Sequence, residues 1–203
     1  MSREVTSNEG QFDEILSIID DARTRALKSV NAELIRMYWN VGKYLSGLCA
    51  NSGFGDKVID EVAAYVAKVN PGVKGFNRRG LYRMKQFYET YRDDEFVSPL
   101  VTQISWTNNL LIMSSTKTRE EREFYIKMTI KNNYSKRELD RQLSSGYYER
   151  YMLSDGKAKE SFLPTVGEDD YPNTRILDTY SFEFLDLPNE YSEKDLKKQL
   201  FLI

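Results

Sequence analysis

Histidine is absent from this chain of 203 residues, cysteine occurs once and proline five times. No apolar run approaches the roughly 20 residues of a bilayer-spanning helix. Each scarcity excludes something. Without histidine there is no Ser-His-Asp or Cys-His catalysis, none of the usual zinc ligand sets and no imidazole base. With Cys49 alone, among Leu45, Leu48 and Ala50 on an apolar helix face, there is no disulfide framework, and a small buried thiol is the reading. The N-terminus is polar and charged, with no apolar signal region, so the expected location is the cytoplasm and no membrane contact is expected. Charge of either sign is not in excess: 29 basic residues face 31 acidic ones, a net −2. Any affinity for nucleic acid must therefore come from a local patch. The length suits one domain with an extension rather than two full domains.

One stretch is strongly one-signed. From Lys68 to Arg92 the cations are Lys68, Lys74, Arg78, Arg79, Arg83, Lys85 and Arg92, against the single acid Glu89. Within it, Gly75–Tyr91 reads as a short helix, with Asn77 as N-cap after the Pro71, Gly72 and Gly75 turn. At about 100° per residue, Leu81, Met84, Tyr88 and Tyr91 share one side, and Arg79, Tyr82, Arg83, Gln86 and Thr90 the other. The first side is a core face. The second is cationic and hydrogen-bonding, as a helix-turn-helix reader presents to a DNA major groove. The candidate nucleic-acid-binding residues are Lys74, Arg78, Arg79, Tyr82, Arg83, Lys85 and Gln86. The alternative is a solvated basic face whose arginines pair with neighbouring acids such as Glu120, Glu121 or Asp60. The turn is also longer than the three or four residues usual in the motif.

Around this helix the pattern is helical. From Gln11 to about Ala50, Phe12, Ile15, Leu16, Ile19, Ala22, Ala26, Val30, Leu34, Met37, Val41, Leu45 and Leu48 keep steps of three and four without a proline. Forty residues of helix span about 60 Å, roughly twice a small domain. Either the helix breaks near Ser29 and Asn31, both weak formers, or its stripe needs a partner chain, which makes a homo-oligomer contact an expectation. Gly42 would allow close approach of a second helix, with Tyr38 and Trp39 as packing residues. Asp56–Val69 forms the scaffold helix before the basic one, and Pro99–Met113 is apolar and expected to be buried. Thr118 with Glu121, and Ser135 with Glu138, are capping boxes that start helices over Arg119–Asn132 and Lys136–Arg150. Beyond Met152, Gly156, Pro164, Gly167, Pro172 and Pro188 with the acidic Glu168, Asp169 and Asp170 read as a linker or extended arm, with Tyr180, Phe182 and Phe184 alternating as in a short strand or a segment laid over another surface. Ser192 then opens a last helix.

Several sets of residues together resemble one family, the bacterial YhcG-like proteins, in which a helical N-terminal half precedes a PD-(D/E)XK nuclease domain. They are Tyr38-Trp39 with Gly42; Gly53-Phe54-Gly55; Gly75-Phe76-Asn77 with Leu81, Met84, Phe87 and Tyr88; Ser105-Trp106; Arg122-Glu123-Phe124-Tyr125; Ser135 with Arg137, Leu139 and Gln142; and Tyr180 to Leu185 before Tyr191-Ser192-Glu193. Two departures stand out: Asn108 where the family has histidine, and Tyr134 where it has tryptophan. The resemblance is to the N-terminal half. It implies a helical domain over residues 1–152, an arm over 153–190, and the start of a nuclease domain at 191–203 whose catalytic part lies beyond Ile203. Magnesium is then expected only for that nuclease domain, and no cofactor or catalytic residue in this chain. Asp155-Gly156-Lys157 and Asp195-Leu196-Lys197 fit a bare D-x-K, but a metal site needs carboxylates converging from a rigid strand pair, and chance explains both.

The fold expected is all-α: a multi-helix domain with a helix-turn-helix-like pair, followed by an extended arm and a C-terminal helix. The leading function is DNA binding or target positioning for a bacterial nuclease. The alternative, supported by the long helix and the many tyrosines, is an oligomerisation or protein-docking module without nucleic-acid contact.

Overall fold

A computed structural model describes residues 5–51, 57–94 and 99–154. These residues form seven α-helices and one 3-10 turn, and no strand occurs among them. The helices are α1 (Val5–Asn51), α2 (Lys57–Val69), α3 (Arg78–Tyr91), α4 (Trp106–Ser115), α5 (Arg119–Asn132), α6 (Lys136–Ser144) and α7 (Tyr147–Leu153), with the 3-10 turn Val101–Gln103 between α3 and α4. The arm, the alternating Tyr180–Phe184 segment, the terminal helix and both D-x-K tripeptides lie outside the described residues.

α1 settles the choice between hairpin and rod, because it is one unbroken helix of 47 residues. Asn31 does not end it. Its side chain leaves the local backbone alone and donates instead to the carbonyls of Thr102 at 2.7 Å and Ile104 at 3.1 Å. That removes the local hydrogen-bond competition which makes asparagine a poor helix former. Asn109, also buried, donates to the carbonyls of Val101 and Ile104. Two asparagine amides thus hold the 3-10 turn against α1 and α4.

The core is built where the C-terminal half of α1 meets α3. Leu34, Ile35, Tyr38 and Leu45 pack with Leu81, Met84, Phe87 and Tyr91, and all are fully or almost fully buried. Trp39 meets Phe87 and Tyr88 edge-on, and Phe87 meets Trp106 edge-on at 5.1 Å between ring centres. Gly42 permits the approach: a Cβ there would stand 2.1 Å from the Met84 carbonyl oxygen. The glycine is an observed packing device, with Tyr38 and Trp39 beside it. A second aromatic group gathers Tyr125, Tyr147, Tyr148 and Tyr151 around Phe124 and closes α5 onto α7.

Three expectations need correction. The helix expected over Lys136–Arg150 is divided at Gly146, whose φ of +62° ends α6 and starts α7. The Arg150 guanidinium donates back to the Ser145 carbonyl at 2.9 Å and secures the corner. Cys49 is half-buried against the core rather than enclosed. Of the two capping boxes, Ser135–Glu138 is complete, whereas Glu121 turns its carboxylate to the Lys117 amide and leaves Thr118 to cap alone.

Candidate nucleic-acid interface

The basic helix starts where Asn77 caps it, its Oδ1 accepting from the Gly80 amide at 2.9 Å. The entry turn fits tightly under the helix, since a Cβ on Gly80 would lie 1.8 Å from the Gly75 carbonyl oxygen, and Gly75 itself takes φ +85°. These contacts fix the direction in which α3 leaves the turn. Eight residues, 70–77, separate α2 from α3, too many for a compact helix-turn-helix. α3 is supported chiefly by α1 and only secondarily by α2.

Helical periodicity then divides α3 as its sequence requires. Leu81, Met84, Phe87 and Tyr91 face the core, so Phe87 takes the central place that spacing alone gave to Tyr88, which is half-buried. Arg79, Tyr82 and Gln86 are exposed on the opposite side, with Arg83 and Thr90 partly so. Lys74 and Arg78 are exposed at the entry.

The cations differ in what they already do. Arg78 Nε lies 2.9 Å from Asp60 on α2, with both side chains more than half exposed. Such an exposed pair contributes about 0–1 kcal/mol and is readily exchanged for another anion. Lys85 is committed. Its side chain is only 17% exposed, and it donates to Glu89, which also accepts from Ser46 of α1 at 2.8 Å. Burial alone would raise the Glu89 pKa, but the hydrogen bonds from Lys85 and Ser46 outweigh it and hold the carboxyl below its usual value. Burial would lower the Lys85 pKa, and Glu89 reverses that, leaving it raised. This trio ties α3 to α1. Arg79 and Arg83, by contrast, form no ion pair or side-chain hydrogen bond with the described residues.

Comparison with known proteins bears on what such a face belongs to. The profile of the DUF1016 N-terminal domain matches residues 14–150. The chain belongs to this family. A protein of Escherichia coli (strain K12) described as "Putative nuclease YhcG" is 27% identical over 221 aligned residues, covering 93% of this chain and 58% of that protein. The chain thus spans less than two thirds of that relative's length. No solved structure matches it.

The family resemblance acquires geometry at its two departures. Asn108 and Tyr134 are neighbours: the Asn108 amide donates to the Tyr134 carbonyl at 2.9 Å, joining α4 to the turn before α6. Both positions serve packing of the DUF1016 domain, and neither stands on the cationic face. What sequence reasoning missed is an open cleft of about 520 Å³ lined by Ile35, Arg36, Trp39, Asn40, Pro99, Val101 and Thr102. No local signal announces it, because it forms only where α1 meets the 3-10 turn about seventy residues later in the sequence. Its one charged side chain, Arg36, pairs with Glu33. Among the described residues, no group of three or more Cys, Asp or Glu side chains could hold a metal ion, and no helix is long and apolar enough to cross a membrane.

Proposed function

We propose that this chain is the DNA-binding or target-positioning module of a nuclease-associated protein of the cytoplasm. The cationic face of α3 makes the contact. The observation that carries the reading is the division of labour on that helix: Leu81, Met84, Phe87 and Tyr91 account for its packing, and Arg79 and Arg83 are left without an acid among the described residues. Unpaired arginines on a rigid helix can neutralise phosphates or donate in pairs to a guanine edge. Gln86, Tyr82 and Lys74 extend the face, and Arg78 joins it by exchanging Asp60 for a phosphate. Lys85 contributes charge from a fixed position. The relative's description as a "Putative nuclease" is consistent with a nucleic-acid partner. On this reading the chain binds and positions DNA but does not cut it, any catalytic part lying in the longer protein.

Titration with a short duplex over a series of salt concentrations tests the reading. Each neutralised phosphate adds about 0.9 to the slope of log affinity against log salt. Arg79→Ala with Arg83→Ala should weaken binding and lower that slope by about two, with helicity unchanged. No binding by the intact chain at low salt, or unchanged binding by the folded double variant, would overturn it.

A second reading, oligomerisation or docking, is favoured by a different observation. The N-terminal half of α1 exposes large apolar side chains, so this segment is suited to a contact between copies of the chain. A contact between copies through this segment is compatible with DNA binding by α3, whereas a docking module without nucleic-acid contact replaces it.

A further inference from the structure

α1 begins at Val5, yet the first of its described side chains to be buried is that of Val30. Ahead of it, Phe12, Ile15, Leu16, Ile18 and Ile19 are between 39% and 60% exposed. Exposure of one such residue is ordinary; five along two turns of one helix form a patch. Phe12, Ile15, Ile19, Ala22, Ala26 and Ser29 follow steps of three and four, the a and d positions of a heptad seam. Leu16 and Ile18 flank it.

The seam is polarised twice over. From Phe12 to Ala22 every charge is negative, on Asp13, Glu14, Asp20 and Asp21; from Arg23 to Lys28 every charge is positive, on Arg23, Arg25 and Lys28. Size follows the same division, with Phe and Ile in the first half and Ala and Ser in the second.

We propose that this seam binds the same seam of a second copy, antiparallel, with the two-fold axis between Asp20 and Asp21. This rests on the oligomer-contact reading above and fixes its geometry. The layers then place Phe12 on the partner's Ser29, Ile15 on the partner's Ala26 and Ile19 on the partner's Ala22. Every layer joins a large residue to a small one, as close packing of facing positions requires. The aliphatic stems of the partner's Arg23 and Arg25 can cover Leu16 and Ile18 with their charges in water, and the acid-rich half of each helix runs along the basic half of the other. Asp20 and Asp21 lie outside the seam, and Asp20 is 3.7 Å from Arg23 of its own helix. A parallel pair would stack Phe12 on its equivalent, and acid on acid. Charge and size both select the antiparallel arrangement.

The test is sedimentation of the intact chain beside Ile15→Asp with Ile19→Asp, together with a disulfide experiment in a Cys49→Ala background. An Ile19→Cys chain is mixed with an Ala22→Cys chain and oxidised. The expected results are a concentration-dependent dimer, a monomeric aspartate variant with unchanged body packing, and a mixed disulfide well above the half that random pairing gives. A chain that stays monomeric overturns both the pairing and the contact reading. A dimer that survives the aspartates overturns the seam, and an Ile19→Cys homodimer as the main product overturns the antiparallel geometry; either leaves a contact between copies in place. The disulfide arm decides even where the aspartate variant fails to fold.

Discussion

Gly42 and Gly47 lie on the same helix, and the same substitution should move stability in opposite directions at the two positions. Alanine favours a helix interior over glycine by about 0.8–1.0 kcal/mol. At Gly47 nothing opposes that gain, since no heavy atom lies within 4 Å of the added Cβ. Gly47→Ala should therefore stabilise the domain by nearly the full propensity difference. At Gly42 the new Cβ would stand 2.1 Å from the Met84 carbonyl oxygen, 2.7 Å from its carbon and 3.0 Å from the Tyr88 Cβ. The obstacle is backbone, so no rotamer change relieves it, and α1 and α3 must move apart by more than 1 Å to restore an ordinary contact of about 3.4–4 Å. That separation loosens Tyr38, Leu81, Met84 and Phe87 together. Overpacking of this kind costs about 1–3 kcal/mol, and a rigid backbone obstacle argues for the upper end. The net effect at Gly42 is destabilisation, with the two variants separated by about 1–3 kcal/mol. Urea unfolding followed by circular dichroism reads this as midpoints moving in opposite directions at a shared m-value. Equal stabilisation by both alanines would refute the α1–α3 contact.

Asn31→Ala removes the donor to the part-buried Thr102 carbonyl and to the buried Ile104 carbonyl, and should cost about 1–3 kcal/mol. Asn31→Asp should cost more, since a carboxylate would face the carbonyls of Thr102 and Ile104; equal urea midpoints for the two variants would show that the bridge is unimportant. Glu89 predicts a pH effect. Its folded pKa is lowered, so its stabilisation is present above its unfolded pKa of about 4.3 and is lost as pH falls through the lower folded value. The stability difference between wild type and Glu89→Gln should therefore be largest near neutral pH and shrink below about pH 4. A difference that stays constant through that range would remove Glu89 as its source.

What could be read from sequence was what depends on neighbouring residues. The Asn77 and Ser135 caps, the start and end of α5, and the two faces of α3 follow from hydrogen bonding within one turn and from the 3.6-residue period. The glycine needed at position 42 could be foreseen as permission for close approach, but not its partner Met84. Asn31 shows where local reasoning fails. Its propensity argues for a break, and only a turn about seventy residues later supplies the carbonyls that cancel the argument. Gly146 lay inside an apparent continuation of α6, and nothing within one turn of it foretells the positive φ or the contacts that Tyr147, Tyr148 and Tyr151 make with Phe124 beyond the corner. The cationic face was legible as charge, whereas the pairing that sets Arg78 and Lys85 apart from Arg79 and Arg83 depends on where Asp60 and Ser46 come to rest.

The two ends of α1 impose a geometry on anything the protein does with DNA. At about 100° per residue, the positions that meet α3, Trp39, Gly42 and Ser46, lie roughly 150° around the helix from Ile15, Ile19 and Ala22. The core face of α3 is turned toward α1, so Arg79, Arg83 and Gln86 point farther out again. In an antiparallel dimer the two cationic faces therefore look away from each other across the pair of rods. A single straight duplex cannot lie along both, but two duplexes can be held, one on each side. The predicted activity is bridging: a duplex immobilised on beads should capture a second, labelled duplex when the intact chain is added. Ile15→Asp with Ile19→Asp should abolish capture while leaving the affinity for one duplex unchanged. Arg79→Ala with Arg83→Ala should reduce both. Capture that persists in the monomeric variant would place the bridging elsewhere, and dimers that bind a duplex without capturing a second would show that the two faces turn toward the same side.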